Sequence, residues 1–180
     1  MILYSDEYTK RFEFEGKWLD SIGYLYEKWT VGRENISLFL KFSFNIWYTL
    51  TLDGCELSLK KREYDILTQM LCHCLEHFKE SFAACEDCQW IFGYMMEVRT
   101  DLFLSSKLEY NTIEKLGKAL IEKASDKGNI FAQLLFARDN CSKENIERKR
   151  KKVKESISKY FDNSQETDQY FIEILTMEVE

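Results

Sequence analysis

The sequence predicts an all-α fold, with about eight helices packed in one domain over residues 1–180. Three observations predict it. The chain has no proline, where average usage would supply about nine in this length. Proline breaks helices and punctuates loops, so its absence suits helices joined by short Gly, Asn, Ser and Asp turns. Apolar residues recur at helical spacing, most clearly at Leu67, Leu71, Cys74, Phe78 and Phe82. The composition, 45% hydrophobic and 15% aromatic, supplies enough apolar surface for one substantial core.

The helices follow in order. Ser5-Asp6-Glu7 opens the first with acids in its first turn, and the helix is expected to reach about Trp29, with Gly16 and Gly23 as weak points. Asn35 to Thr51 is apolar almost throughout and predicts a helix buried nearly all round, ended by Asp53-Gly54. The next spans Ser58 to Phe82. A turn near Ala84 leads into a helix carrying Cys88, Ile91, Phe92 and Met95, and Thr100 to Tyr110 reads as a longer connection. Asn111 with Glu114 predicts a capping box for a helix whose stripe is Ile113, Leu116, Leu120 and Ala124. Gly128 stops that helix and Asn129 starts another. Ser142 opens a helix with a narrow stripe, and Ser164 is expected to cap the last. The packing is then either a repeat-like stack or an irregular bundle.

The net charge is −6, which disfavours direct nucleic-acid binding and favours a basic partner. Lys143 to Lys159 carries eight Lys/Arg against three Glu, and Tyr160 to Glu180 carries six acids and no base. The cluster Arg148–Lys152 reads first as a solvated helix face, with pairing to Glu173, Glu178 and Glu180 as a further expectation. No apolar run reaches the ~20 residues of a membrane span, and the first ten residues already carry Asp6, Glu7 and Lys10. A cytoplasmic location is expected, without membrane association.

Six cysteines, at 55, 72, 74, 85, 88 and 141, lack the look of a disulfide scaffold. Cys74, His77, Cys85 and Cys88 have two i, i+3 pairs that a helical hairpin could join as a zinc site. The stronger reading is of core thiols, because Cys74 and Cys88 fall on apolar stripes, and no cofactor is expected. A Cys-x-x-Cys redox role is weaker again in the absence of a βαβ pattern. There is no Gly-rich phosphate loop, nucleophile elbow or HExxH pattern. The sequence thus points to binding rather than catalysis.

Residues 90–138, about a quarter of the chain, carry the most specific pattern. Gly93-Tyr94 lies in one helix, Ala119, Lys123 and Ala124 in the next, and Gly128-Asn129 and Ala132-Gln133 follow at the turn. This resembles a Sel1-like or tetratricopeptide-type helical repeat, in which small residues let neighbouring helices approach closely. In overall character the chain is also similar to the immunity proteins of contact-dependent growth inhibition and related polymorphic-toxin systems. That resemblance rests on size, acidity and aromatic content rather than on a motif. It implies a protein that neutralises a cognate toxin, often a basic nuclease, by occluding its active or substrate-binding face. On that reading Glu76, Glu80, Glu86 and Asp87 would meet the toxin's Lys and Arg, and Trp90 and Tyr94 would anchor the contact. The same six residues also fit a solvated rim around two core aromatics. A peptide-holding adaptor and a Cys/His metal-binding regulator are the other functional readings, and exposed aromatics would permit a homodimer.

Overall fold

The computed structural model describes residues 1–106 and 108–178. Among them the chain forms nine α-helices: α1 (Glu7–Phe14), α2 (Trp18–Val31), α3 (Ile36–Leu52), α4 (Lys61–His77), α5 (Glu86–Val98), α6 (Tyr110–Asp126), α7 (Ile130–Asn140), α8 (Lys143–Ser156) and α9 (Glu166–Thr176). A π-helical turn, Phe78–Phe82, prolongs α4, and 3₁₀ turns occupy Thr100–Ser106 and Ile157–Lys159. No helix among the described residues is long and apolar enough to cross a membrane. The all-α prediction holds, with one helix more than expected. The extra one arises because the first predicted helix is two. Gly16 takes φ +64°, a left-handed conformation that a continuing helix cannot contain.

α3 is the axis of the molecule. Every residue from Leu38 to Leu50 is buried, and α2, α4, α5 and α9 pack around it. Its aromatics hold the surrounding helices. Phe44 lies 4.3 Å from the Phe171 ring of α9, Phe42 stacks on Trp29 of α2, and Trp47 Nε1 donates to the Met95 carbonyl of α5 at 3.1 Å. From α5 to α9 each helix packs on the next, and α9 returns to contact α1, α3 and α7. Consecutive helices pack on one another here, and the return of α9 closes them into a bundle around α3.

The caps are partly where the sequence placed them. Asp6 accepts from the backbone N–H of Tyr8 and Thr9, and Thr9 reciprocates. Asn129 accepts from Phe131 and Ala132, and Gly128 before it has φ +100°. α6 instead begins at Tyr110 after Glu109, so Asn111 lies inside its first turn rather than capping it. α9 follows Gln165 rather than Ser164, whose hydroxyl donates to Asp162 at 2.7 Å.

On α8, Arg148, Lys151 and Lys152 are exposed, as a solvated face requires, but Arg150 turns inward to 1% exposure and pairs with Glu147. Among the described residues, Glu173 and Glu178 form no ion pair with this cluster, and Glu180 lies outside those residues.

Candidate functional site

The structure separates the six residues proposed to meet a partner. Glu76 and Glu80 are exposed on α4 and its π turn. Glu86 and Asp87 occupy the first turn of α5. Asp87 is already engaged. Its Oδ1 accepts from Trp90 Nε1 at 3.2 Å and from Asn129 Nδ2 at 3.0 Å, which fastens α5 to the α6–α7 turn.

Trp90 and Tyr94 are not surface anchors. Trp90 is fully buried between Phe131 and Phe171. Tyr94 is buried too, with its hydroxyl 2.6 Å from that of Tyr170. A helix whose residues 88–96 are all buried has no outward apolar face to offer, and both aromatics belong to the core. Large aromatics that do remain exposed include Tyr8, Phe14, Tyr26 and Tyr110.

Cys74, His77, Cys85 and Cys88 do not assemble either. Cys74 is buried in α4 beside the Ser43 hydroxyl, and desolvation pushes its thiol up to about 12. His77 sits edge-on to Trp29, Phe39 and Phe82, while Cys85 and Cys88 belong to the start of α5. Among the described residues, no three His, Cys, Asp or Glu side chains converge as a metal site. The i, i+3 spacing set each pair one turn apart, but Cys74 and Cys88 are buried in the core and His77 packs among aromatic rings instead.

A different constellation emerges where α5, α6 and α7 meet. α5 and α6 cross at Gly93 and Gly117. A Cβ on Gly93 would lie 2.8 Å from the Gly117 carbonyl oxygen and 2.7 Å from Ile121 Cγ1, and one on Gly117 would lie 3.0 Å from the Gly93 oxygen. Only glycines permit this approach. The Gly128-Asn129 turn then folds α7 back beside α6. Between the three helices lies a groove of about 500 Å³, lined by Glu97, Glu122 and Asp139 above an apolar floor of Ile121, Leu135 and Phe136.

Its electrostatics are unbalanced. Lys118 also lines the groove, but its Nζ is paired with Glu114 at 2.8 Å. Among the described residues, Glu97, Glu122 and Asp139 have no ion-pair partner. Burial pushes the pKa of Glu97 up, the nearby Asp139 adds to the effect, and Lys118 opposes it.

Glu97 also lies in the last turn of α5, and Asp139 in the last turn of α7. Carboxylates there oppose the negative end of the helix dipole. Residues set against local stability are expected where a site is built. A Lys or Arg side chain entering the groove would neutralise Glu97 and Asp139 while its methylene stem covered the apolar floor. The sequence reading missed this group because its members lie on three helices and share no spacing. The one legible signal was the presence of acids at helix C-termini. Comparison of the chain with protein-family models, with curated proteins and with solved structures finds no match.

Proposed function

We propose that this chain is a binding protein that captures a basic partner in the α5–α7 groove. We further propose that the partner is a cognate bacterial toxin domain, a nuclease in character, neutralised by occlusion of its substrate-binding face. The observation that carries the reading is the trio Glu97, Glu122 and Asp139, which line the groove with Ile121, Leu135 and Phe136 and form no ion pair among the described residues. A nuclease presents Lys and Arg to phosphate, and those are the side chains such a groove would hold. The net charge of −6 adds long-range attraction to a basic domain.

The test is capture from native cells followed by co-expression. The expected result is a basic domain, encoded beside this chain, whose toxicity the chain suppresses. Its binding should weaken on reversal of the exposed pair Glu122→Lys and Asp139→Lys. Capture of an extended, unstructured segment with no effect on growth would replace the toxin reading with that of a peptide-holding adaptor. The adaptor reading has its own support, since most of the groove's lining falls in the repeat-like residues 90–138.

A further inference from the structure

At the opposite end of α5 lies a group that the binding reading does not use. Cys85 is the residue preceding the first turn of the helix, with extended backbone at φ −74° and ψ 120°. Cys88, three residues on, is completely buried. Both are free thiols. Cys85 is half-buried and lines a separate groove of about 530 Å³, together with Asp87, Asn129, Phe131 and Tyr160. The two cysteines therefore divide into one that a small molecule can reach and one that only its neighbour can reach.

We propose that Cys85 and Cys88 form a thiol–disulfide exchange site, in which Cys85 attacks a small-molecule disulfide and Cys88 resolves the adduct into an intramolecular Cys85–Cys88 disulfide. The attacking group is prepared by its position. The neighbouring Cys88 thiol and the positive N-terminal end of α5, where Cys85 is the cap residue, both favour its thiolate. Together these outweigh burial and the charge of Asp87 and hold Cys85 down at about 6. Glu86 and Tyr160 also line this groove, and Lys127 reaches its edge through the Ala84 carbonyl at 2.9 Å. By contrast, burial pushes Cys72 and Cys74 up to about 11 and about 12, which leaves them unreactive thiols of the core.

The chemistry balances without any group beyond the oxidant. The Cys85 thiolate attacks one sulfur of R–S–S–R, a Cys85–S–S–R bond forms, and RS⁻ leaves. The Cys88 sulfur then attacks Cys85 Sγ, the Cys85–SR bond breaks, and the departing RS group takes the proton that Cys88 gives up. Two protein thiols are oxidised and one small disulfide is reduced to two thiols.

The test uses the full chain, reduced and then equilibrated with glutathione and glutathione disulfide over a range of ratios. Samples are quenched in acid and cleaved after Lys and Arg. Cleavage releases Glu80–Arg99, a peptide that contains Cys85 and Cys88 and no other cysteine. The expected result is loss of both thiol hydrogens from this peptide as the buffer becomes oxidising. In the Cys88→Ser variant, glutathione should instead remain attached at Cys85. A peptide that stays reduced at every ratio would overturn the proposal. So would glutathione added at the exposed Cys55 in preference to Cys85 in the variant.

Discussion

Lys41 places a strong demand on this fold. It is wholly buried in the middle of α3, where an unpaired ammonium would be prohibitively costly. Its Nζ meets Glu13 at 2.5 Å, Thr167 Oγ1 at 2.5 Å and Gln165 Oε1 at 3.0 Å. Thr167 in turn donates its backbone N–H to Glu13 at 3.1 Å, so α1, α3 and α9 close on one cation. Asp168, also fully buried, brings a second carboxyl to this region. Burial pushes it up to about 6 against the pull of Lys41. Because that folded-state pKa is raised, Asp168 costs nothing below about pH 3, where it is protonated folded or unfolded. It costs most above about pH 6, where the folded chain must hold it ionised.

Asp168→Asn should therefore stabilise the protein at pH 7, by up to about 3 kcal/mol, and leave it unchanged at about pH 3. Denaturant melts at the two pH values measure this, and equal destabilisation at both would refute the assignment. None of this was legible in the sequence. Lys41 sits inside a run read as apolar on every side, and its partners lie far away along the chain. Periodicity reports which face is buried. It does not report where a buried charge finds its counter-ion.

The helices themselves were legible wherever apolar spacing and turn chemistry agreed, as in α3, α7 and the Gly128-Asn129 turn. They were misjudged where one backbone conformation decided the outcome. Gly16 divides α1 from α2 through its positive φ, and α4 ends in a π turn that no spacing rule signals. The α5–α6 crossing lies between these cases. Gly93 was noted as a small residue for close packing, but its counterpart Gly117 was not. Gly93→Ala should cost about 1–3 kcal/mol, because the new methyl meets backbone and Ile121 with no flexible neighbour to yield. Gly23→Ala in α2 provides the opposite case. Nothing lies within 4 Å of its Cβ position, and alanine should add about 0.5–1 kcal/mol through helix propensity. Thermal melts of the two variants should move in opposite directions, and a neutral Gly93→Ala would mean that the crossing is looser than described.

Over the whole molecule, the consecutive packing of α5 to α9 and the return of α9 to α3 fix one end of the α5–α7 groove as part of a closed bundle. The groove is thus a preformed feature, and a partner that fills it has little ordering to drive. The acidic residues selected from sequence, Glu76 and Glu80, remain an exposed alternative face, so the two surfaces can be tested against each other in one protein. The decisive measurement is the affinity of the captured partner for three chains: the unmodified one, Glu122→Lys/Asp139→Lys and Glu76→Lys/Glu80→Lys. All four substituted positions are exposed, so the three should melt alike. The groove account predicts that the first double variant binds at least about tenfold more weakly, a loss of about 1.4 kcal/mol, and depends less on salt, while the second binds as the unmodified chain does. Unchanged affinity in the groove variant, with the loss in the α4 variant, would contradict it and place the partner on the α4 face.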